Sequence, residues 1–72
     1  MAFVEYSVDS SNISNVEYDP DNLILRITFQ NGGKYEYEGV LQEVVDEMLS
    51  ASSVGSYFHS NIRMNYPYTK IN

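Results

Sequence analysis

The chain contains no cysteine and a single histidine. Disulfide staples and thiolate metal sites are therefore excluded. A structural zinc site, which takes four Cys or His ligands, has too few donors, and no cofactor is implied. Basic residues are also scarce, with 4 Lys and Arg against 10 Asp and Glu and a net charge of −6. Binding along a duplex needs clustered cations to displace counterions, so duplex DNA is not an expected partner. The acids read as a solvated face that keeps the chain soluble. Long apolar runs are missing as well. The opening stretch "MAFVEYSVDS" has neither the basic segment nor the apolar core of a secretory signal, and it is no membrane helix. A cytoplasmic location without membrane contact is the expectation.

What is abundant is tyrosine, 7 in 72 residues. Tyrosine buries a large ring and keeps a polar tip, so it serves cores and binding surfaces equally. The length predicts one domain over residues 1–72. A chain of this size buries only about 60% of its unfolded surface, which leaves a thin core. The thin core and the excess of tyrosine favour a homo-oligomer.

From "NVEY" to "YEYEG" the pattern has period two. Leu23, Leu25, Ile27 and Phe29 alternate with Ile24, Arg26 and Thr28, as in a half-buried strand. "NGG" follows as a hairpin signal. A loop of Asn31, Gly32 and Gly33 brings Phe29 opposite Tyr35, Ile27 opposite Tyr37 and Arg26 opposite Glu38. A two-residue loop would put the apolar faces out of phase. In "YDPDNL" a loop from Asp19 to Asn22 pairs Tyr18 with Leu23 and Val16 with Leu25, with Pro and Asp as turn residues. The expected apolar face is Val16, Tyr18, Leu23, Leu25, Ile27, Phe29, Tyr35 and Tyr37. Residues 3–8 add a fourth strand through Val4, Tyr6 and Val8.

Near Gly39 the period changes to 3.6. Leu41, Val44, Val45, Met48 and Leu49 form one helical stripe, with Gln42, Glu43, Asp46 and Glu47 outside. Ser53 is placed to cap a second helix with the stripe Val54, Tyr57, Phe58 and Ile62, which ends before Pro67. The expected fold class is α+β: an antiparallel three- to four-stranded meander followed by two short helices packed on one face.

The strings "SSNISNVEYD", "LILRITFQNGGKYEYEGV" and "ASSVGSYFHSNIR", together with Tyr66, resemble the KTSC domain family over residues 8–66. The pair Tyr35-x-Tyr37 corresponds to that family's Y-x-Y hallmark. The family is found at the C-terminus of some lysyl-tRNA synthetases and as free-standing small proteins of bacteria and phages. The resemblance implies the fold, and the synthetase context suggests contact with RNA. The chain departs from the pattern at Leu41, where the family usually has Pro, and at His59, where it often has Asn.

Two regions are candidate sites. Tyr35 and Tyr37 on one sheet face form a stacking platform for bases, or they are core rings covered by Leu41, Val45 and Tyr57. The turn around Ser53, Gly55 and Ser56 offers free amides and hydroxyls to an anion, with Arg63 and His59 supplying charge, or it is an ordinary capping turn. Arg63 offers a planar fork suited to phosphate. His59 and Arg63, four residues apart, share a helix face. Ser10 and Ser11 suit a turn that starts the sheet as well as they suit a ligand. No strained G-x-S-x-G turn, phosphate loop or metal-ligand spacing is present, so an enzyme is not expected. The expected function is a non-catalytic binding module for a nucleotide-like small anion or a short RNA segment, acting by sequestration when free-standing. The alternative is a self-associating or protein-interaction module that uses strand addition.

Overall fold

The computed structural model describes residues 2–71. Five antiparallel strands lie in chain order across one sheet: β1 Val4–Tyr6, β2 Ile13–Asp19, β3 Ile24–Phe29, β4 Lys34–Glu38 and β5 Tyr68–Lys70. Helix α1, Gln42–Ser50, and helix α2, Val54–Tyr57, stand between β4 and β5, and α2 continues into a π-helical turn, Phe58–Ile62. The α+β class and the two helices on one face are as expected, but the sheet has a fifth strand. At three residues, β5 is too short for period two to show in the sequence.

The core is one cluster. Val16, Tyr18, Leu25, Ile27 and Tyr37 from the sheet meet Val45, Met48, Phe58 and Ile62 from the helical segment, with Val40 between. Ile13 joins them because the register of β2 shifts between Ile13 and Asn15. Ser14 is the extra residue of this bulge, so Ile13 and Val16 both face inward although they are three apart. The Tyr18 hydroxyl is buried and donates to the Val40 carbonyl. Among the described residues no helix is long and apolar enough to cross a membrane.

Both hairpins slide by two residues from the expected register. In the second, Phe29 N–H donates to the Gly33 carbonyl at 2.8 Å and Gly32 N–H to the Phe29 carbonyl at 2.9 Å. The three-residue loop is therefore Gln30, Asn31 and Gly32. Tyr35 pairs with Ile27, Tyr37 with Leu25 and Arg26 with Glu36. A two-residue slide keeps every side chain on its face, so alternation alone did not distinguish the registers. Turn chemistry does. The left-handed position falls on Gly32, at φ +95°, as a bulged three-residue loop requires. The Asn31 Oδ1 atom accepts from Gly33 N–H at 3.0 Å.

In the first hairpin β2 runs through Asp19, which pairs with Ile24, while Tyr18 pairs with Leu25 and Val16 with Ile27. The loop is Pro20–Leu23. Leu23 leaves the strand face because it takes φ +58°, and its carbonyl accepts from Val40 N–H at 3.0 Å. Buried Asp19 organises this turn. Its Oδ1 accepts from the amides of Asp21 at 3.0 Å and Asn22 at 3.3 Å, and its Oδ2 from Asn22 Nδ2 at 2.8 Å.

In α1, Val45 and Met48 are buried as the stripe predicts, with Val44 and Leu49 half-buried. Leu41 is not on the stripe. It is the N-cap residue, in extended backbone, and is 50% exposed. Val40 takes the core position instead. In β1 only Val4, Glu5 and Tyr6 pair, and Val8 packs against the core from outside the strand.

Candidate functional site

The core-facing side of β4 and β5 is a run of rings. Tyr68 stands opposite Tyr37, and Lys70 opposite Tyr35, so all four side chains share a face. Five rings close into a cycle. Phe29 meets Tyr35 at 5.6 Å, Tyr35 meets Tyr68 at 5.7 Å, and Tyr68 meets Tyr37 at 5.6 Å. Tyr37 meets Phe58 edge-on at 5.2 Å, and Phe58 returns to Phe29 at 5.6 Å. Edge and tilted contacts of this kind hold aromatic rings in fixed orientation.

Burial across the cycle is graded. Tyr37 is 3% exposed, Tyr35 half-buried and Tyr68 57% exposed. The sequence pair therefore splits: Tyr37 belongs to the core and Tyr35 to its rim. Burial pushes the Tyr37 hydroxyl above the ordinary tyrosine range, Tyr35 adds to the rise, and the Arg63 charge opposes it.

Over these rings lies a groove of about 740 Å³, bounded by Tyr35, Tyr37 and Tyr68 on the sheet, Arg63 and Met64 after the π-helical turn, and the Asn31–Gly33 turn, with Lys70 also on its wall. Two of the chain's 4 cations line it. None of its 10 acids does. Among the described residues Arg63 and Lys70 make no ion pair, whereas Arg26, on the opposite sheet face, is held by Glu36 at 2.7 Å and Glu17 at 3.5 Å and lies over the Phe3 ring. Both groove cations are exposed.

Of the residues proposed from sequence, Tyr35, Tyr37 and Arg63 lie together in this groove. Tyr68 and Lys70 were not among them, because a three-residue strand leaves no periodic signal.

The remaining candidates lie elsewhere. Ser53 caps α2, its Oγ accepting from Ser56 N–H at 3.3 Å. A Cβ on Gly55 would meet Ser10 Oγ at 3.2 Å, so the β1–β2 connection packs directly on this glycine. Ser10 Oγ accepts from the amides of Asn12 and Ile13, each at 3.2 Å, forming the turn that starts β2. Ser53, Gly55, Ser56 and His59 line neither the tyrosine groove nor a smaller one of about 430 Å³ between the β1–β2 connection and the α1–α2 turn. That smaller groove has Asp9 on its wall and no cation. His59 is exposed and is not with Arg63 in the groove. Among the described residues no group of His, Cys, Asp or Glu is placed to hold a metal.

The KTSC domain family model matches residues 9–66. The chain belongs to the KTSC domain family. It is 36% identical over 66 residues to an uncharacterised protein of Stutzerimonas stutzeri, covering 90% of this chain and 93% of that one. It is 32% identical over 71 residues to a lysine–tRNA ligase of Nostoc, covering 99% of this chain and 13% of the ligase. The crystal structure of a KTSC domain protein from Yersinia pestis superposes with a TM-score of 0.92 at 37% identity, covering 99% of this chain and all of that one. The KTSC fold thus occurs both alone and as a small part of a much larger synthetase chain.

Proposed function

We propose that this KTSC domain is a non-catalytic binding module whose tyrosine groove holds a nucleotide-like anion, free or as part of a short RNA segment. One observation carries the reading: in a chain of net charge −6 the groove is lined by exposed Tyr68 and by two cations that make no ion pair among the described residues, and by no Asp or Glu. A base stacks on the open face of Tyr68, with Tyr35 beside it, and Arg63 or Lys70 meets the phosphate. Stacking is tolerant of base identity and contributes about 1–3 kcal/mol per base. The guanidinium of Arg63 presents paired donors to phosphate oxygens. The kinship with a lysine–tRNA ligase supports a ligand of RNA chemistry.

Calorimetric titration with adenosine 5′-monophosphate, adenosine and ribose 5-phosphate tests this. The nucleotide is expected to bind more tightly than either fragment, and Tyr68→Ala and Arg63→Ala each to weaken it. If Ser56→Ala or His59→Ala weakens binding and Tyr68→Ala does not, the ligand sits at the start of α2 instead. A second reading draws on β5, an edge strand with all three residues exposed. Such an edge pairs readily with another chain. Light scattering that gives a dimer, abolished by Lys70→Pro, which removes an outward-facing amide, and not by Lys70→Met, supports strand addition over ligand capture.

A further inference from the structure

The groove holds two cations, and a lone phosphate uses one of them. Lys70 is paired with Tyr35 and Tyr68 with Tyr37, so Tyr68 and Lys70 lie two residues apart along β5, about 6.8 Å between Cα atoms. The Lys70 end is closed by the Asn31–Gly33 turn, where Ile71 N–H donates to the Lys34 carbonyl at 2.9 Å. Arg63, which follows the π-helical turn, brings a second cation to the same groove from a different element. The groove thus has one cation on β5, one on the helical side and the exposed Tyr68 ring.

Resting on the reading above, we propose that the groove is built for a nucleotide phosphorylated on both sides of its ribose, with the base on Tyr68 and one phosphate at each of Arg63 and Lys70. A nucleoside 3′,5′-bisphosphate has this chemistry, and so has any internal nucleotide of a single strand. A monophosphate leaves one cation unused. A duplex cannot present an unstacked base to Tyr68, and all 10 acids of the chain lie outside the groove.

The test compares adenosine 3′,5′-bisphosphate with the 5′- and 3′-monophosphates by calorimetry. The bisphosphate is expected to bind about tenfold more tightly than either monophosphate, the equivalent of about 1.4 kcal/mol. Arg63→Met and Lys70→Met keep the aliphatic stems of exposed side chains and leave the fold unchanged by circular dichroism. Each is expected to reduce bisphosphate affinity to the monophosphate level, and each to weaken a different monophosphate. A single-stranded adenosine trinucleotide distinguishes the two sources: binding tighter than the free bisphosphate identifies a strand, and weaker binding identifies the free nucleotide. For the trinucleotide, log K is expected to fall with log salt at a slope of about −1.4 for two phosphate contacts, and about −0.7 in either variant. If the bisphosphate binds no more tightly than adenosine 5′-monophosphate, the two-ended site is wrong while the tyrosine groove stands. If none of the nucleotides binds, both fall.

Discussion

The amide of Arg63 donates to the carbonyl of Phe58, five residues back in the chain, at 3.0 Å. This bond closes the π-helical turn that separates a core ring from a groove cation. Single π turns inside helices recur at functional sites. Here the turn holds one residue more than an α-helix would need between Phe58 and Arg63. Deleting Ser60, an exposed residue of the turn, shortens the bond to an ordinary α-helical one and keeps Phe58 and Arg63 as its two ends. The variant is expected to unfold cooperatively, with a Tm within a few degrees of the parent. The aromatic proton resonances of Tyr37 and Tyr68 are expected to stay dispersed as in the parent. A chain that fails to fold would show that the wide turn, and not the Phe58–Arg63 bond, is what the fold needs.

Acid stability depends on Asp19. The side-chain amide of Asn22 holds its carboxyl below the usual carboxylate range, backbone amides of Asn22 and Asp21 assist, and burial opposes them. With the folded pKa below the unfolded value of about 3.9, Asp19 stabilises the native state above pH ~4. That stabilisation fades as pH falls through the folded pKa, because the unfolded chain then binds the proton first. Asp19→Asn is expected to lower the Tm at pH 7 and to flatten its decline in acid, since the amide cannot accept from all three donors. Thermal melts from pH 7 to pH 2 check this. An unchanged decline in the variant removes Asp19 from the acid transition.

Much of the fold was legible because periodicity survives any shift that preserves parity. Val16, Tyr18, Leu25, Ile27 and Tyr37 are in the core as alternation requires. The register was not legible, because a slide of two residues leaves that alternation unchanged. It was decided by Asp19 gathering the first turn and by Gly32 taking the left-handed position in the second. The site was half legible. Tyr35, Tyr37 and Arg63 were visible as residue types, but the strand that carries Tyr68 and Lys70 has only three residues. It exists because β4 offers it an edge, a tertiary cause that no local pattern records.

The register can be tested through charge. Arg26 Nε and a terminal nitrogen both donate to Glu36 Oε2, at 3.0 and 2.7 Å, and both side chains are one-quarter exposed. Cross-strand pairs of this kind contribute about 0.2–1 kcal/mol. A double-mutant cycle between Arg26→Met and Glu36→Gln is expected to give a coupling of about 0.5 kcal/mol, reduced at 1 M salt. The cycle with Glu38→Gln is expected to give none. Coupling to Glu38 in place of Glu36 would restore the register that alternation alone suggested.

At Gly55 the second half of the chain packs against the first, and the contact assigns it a structural role that can be separated from ligand binding. A Cβ there would lie 3.2 Å from Ser10 Oγ, tighter than ordinary van der Waals contact. That oxygen is not free to retreat, because it accepts from both Asn12 and Ile13 amides and so fixes the start of β2. Gly55→Ala is expected to cost about 1–2 kcal/mol, the range for overpacking a well-filled site. Ser10→Ala loses the turn bonds, each contributing about 1 kcal/mol, but clears the space. The two substitutions share one contact, so they are not additive. The double variant is expected to be more stable than the sum of the singles predicts, as read from urea midpoints at constant m. Nucleotide affinity in the folded Gly55→Ala protein is expected to match the parent, because Gly55 does not line the tyrosine groove. Additive costs would mean that the Cβ is accommodated by movement of α2. Loss of affinity in a fully folded variant would move the binding site from Tyr68 to the start of that helix.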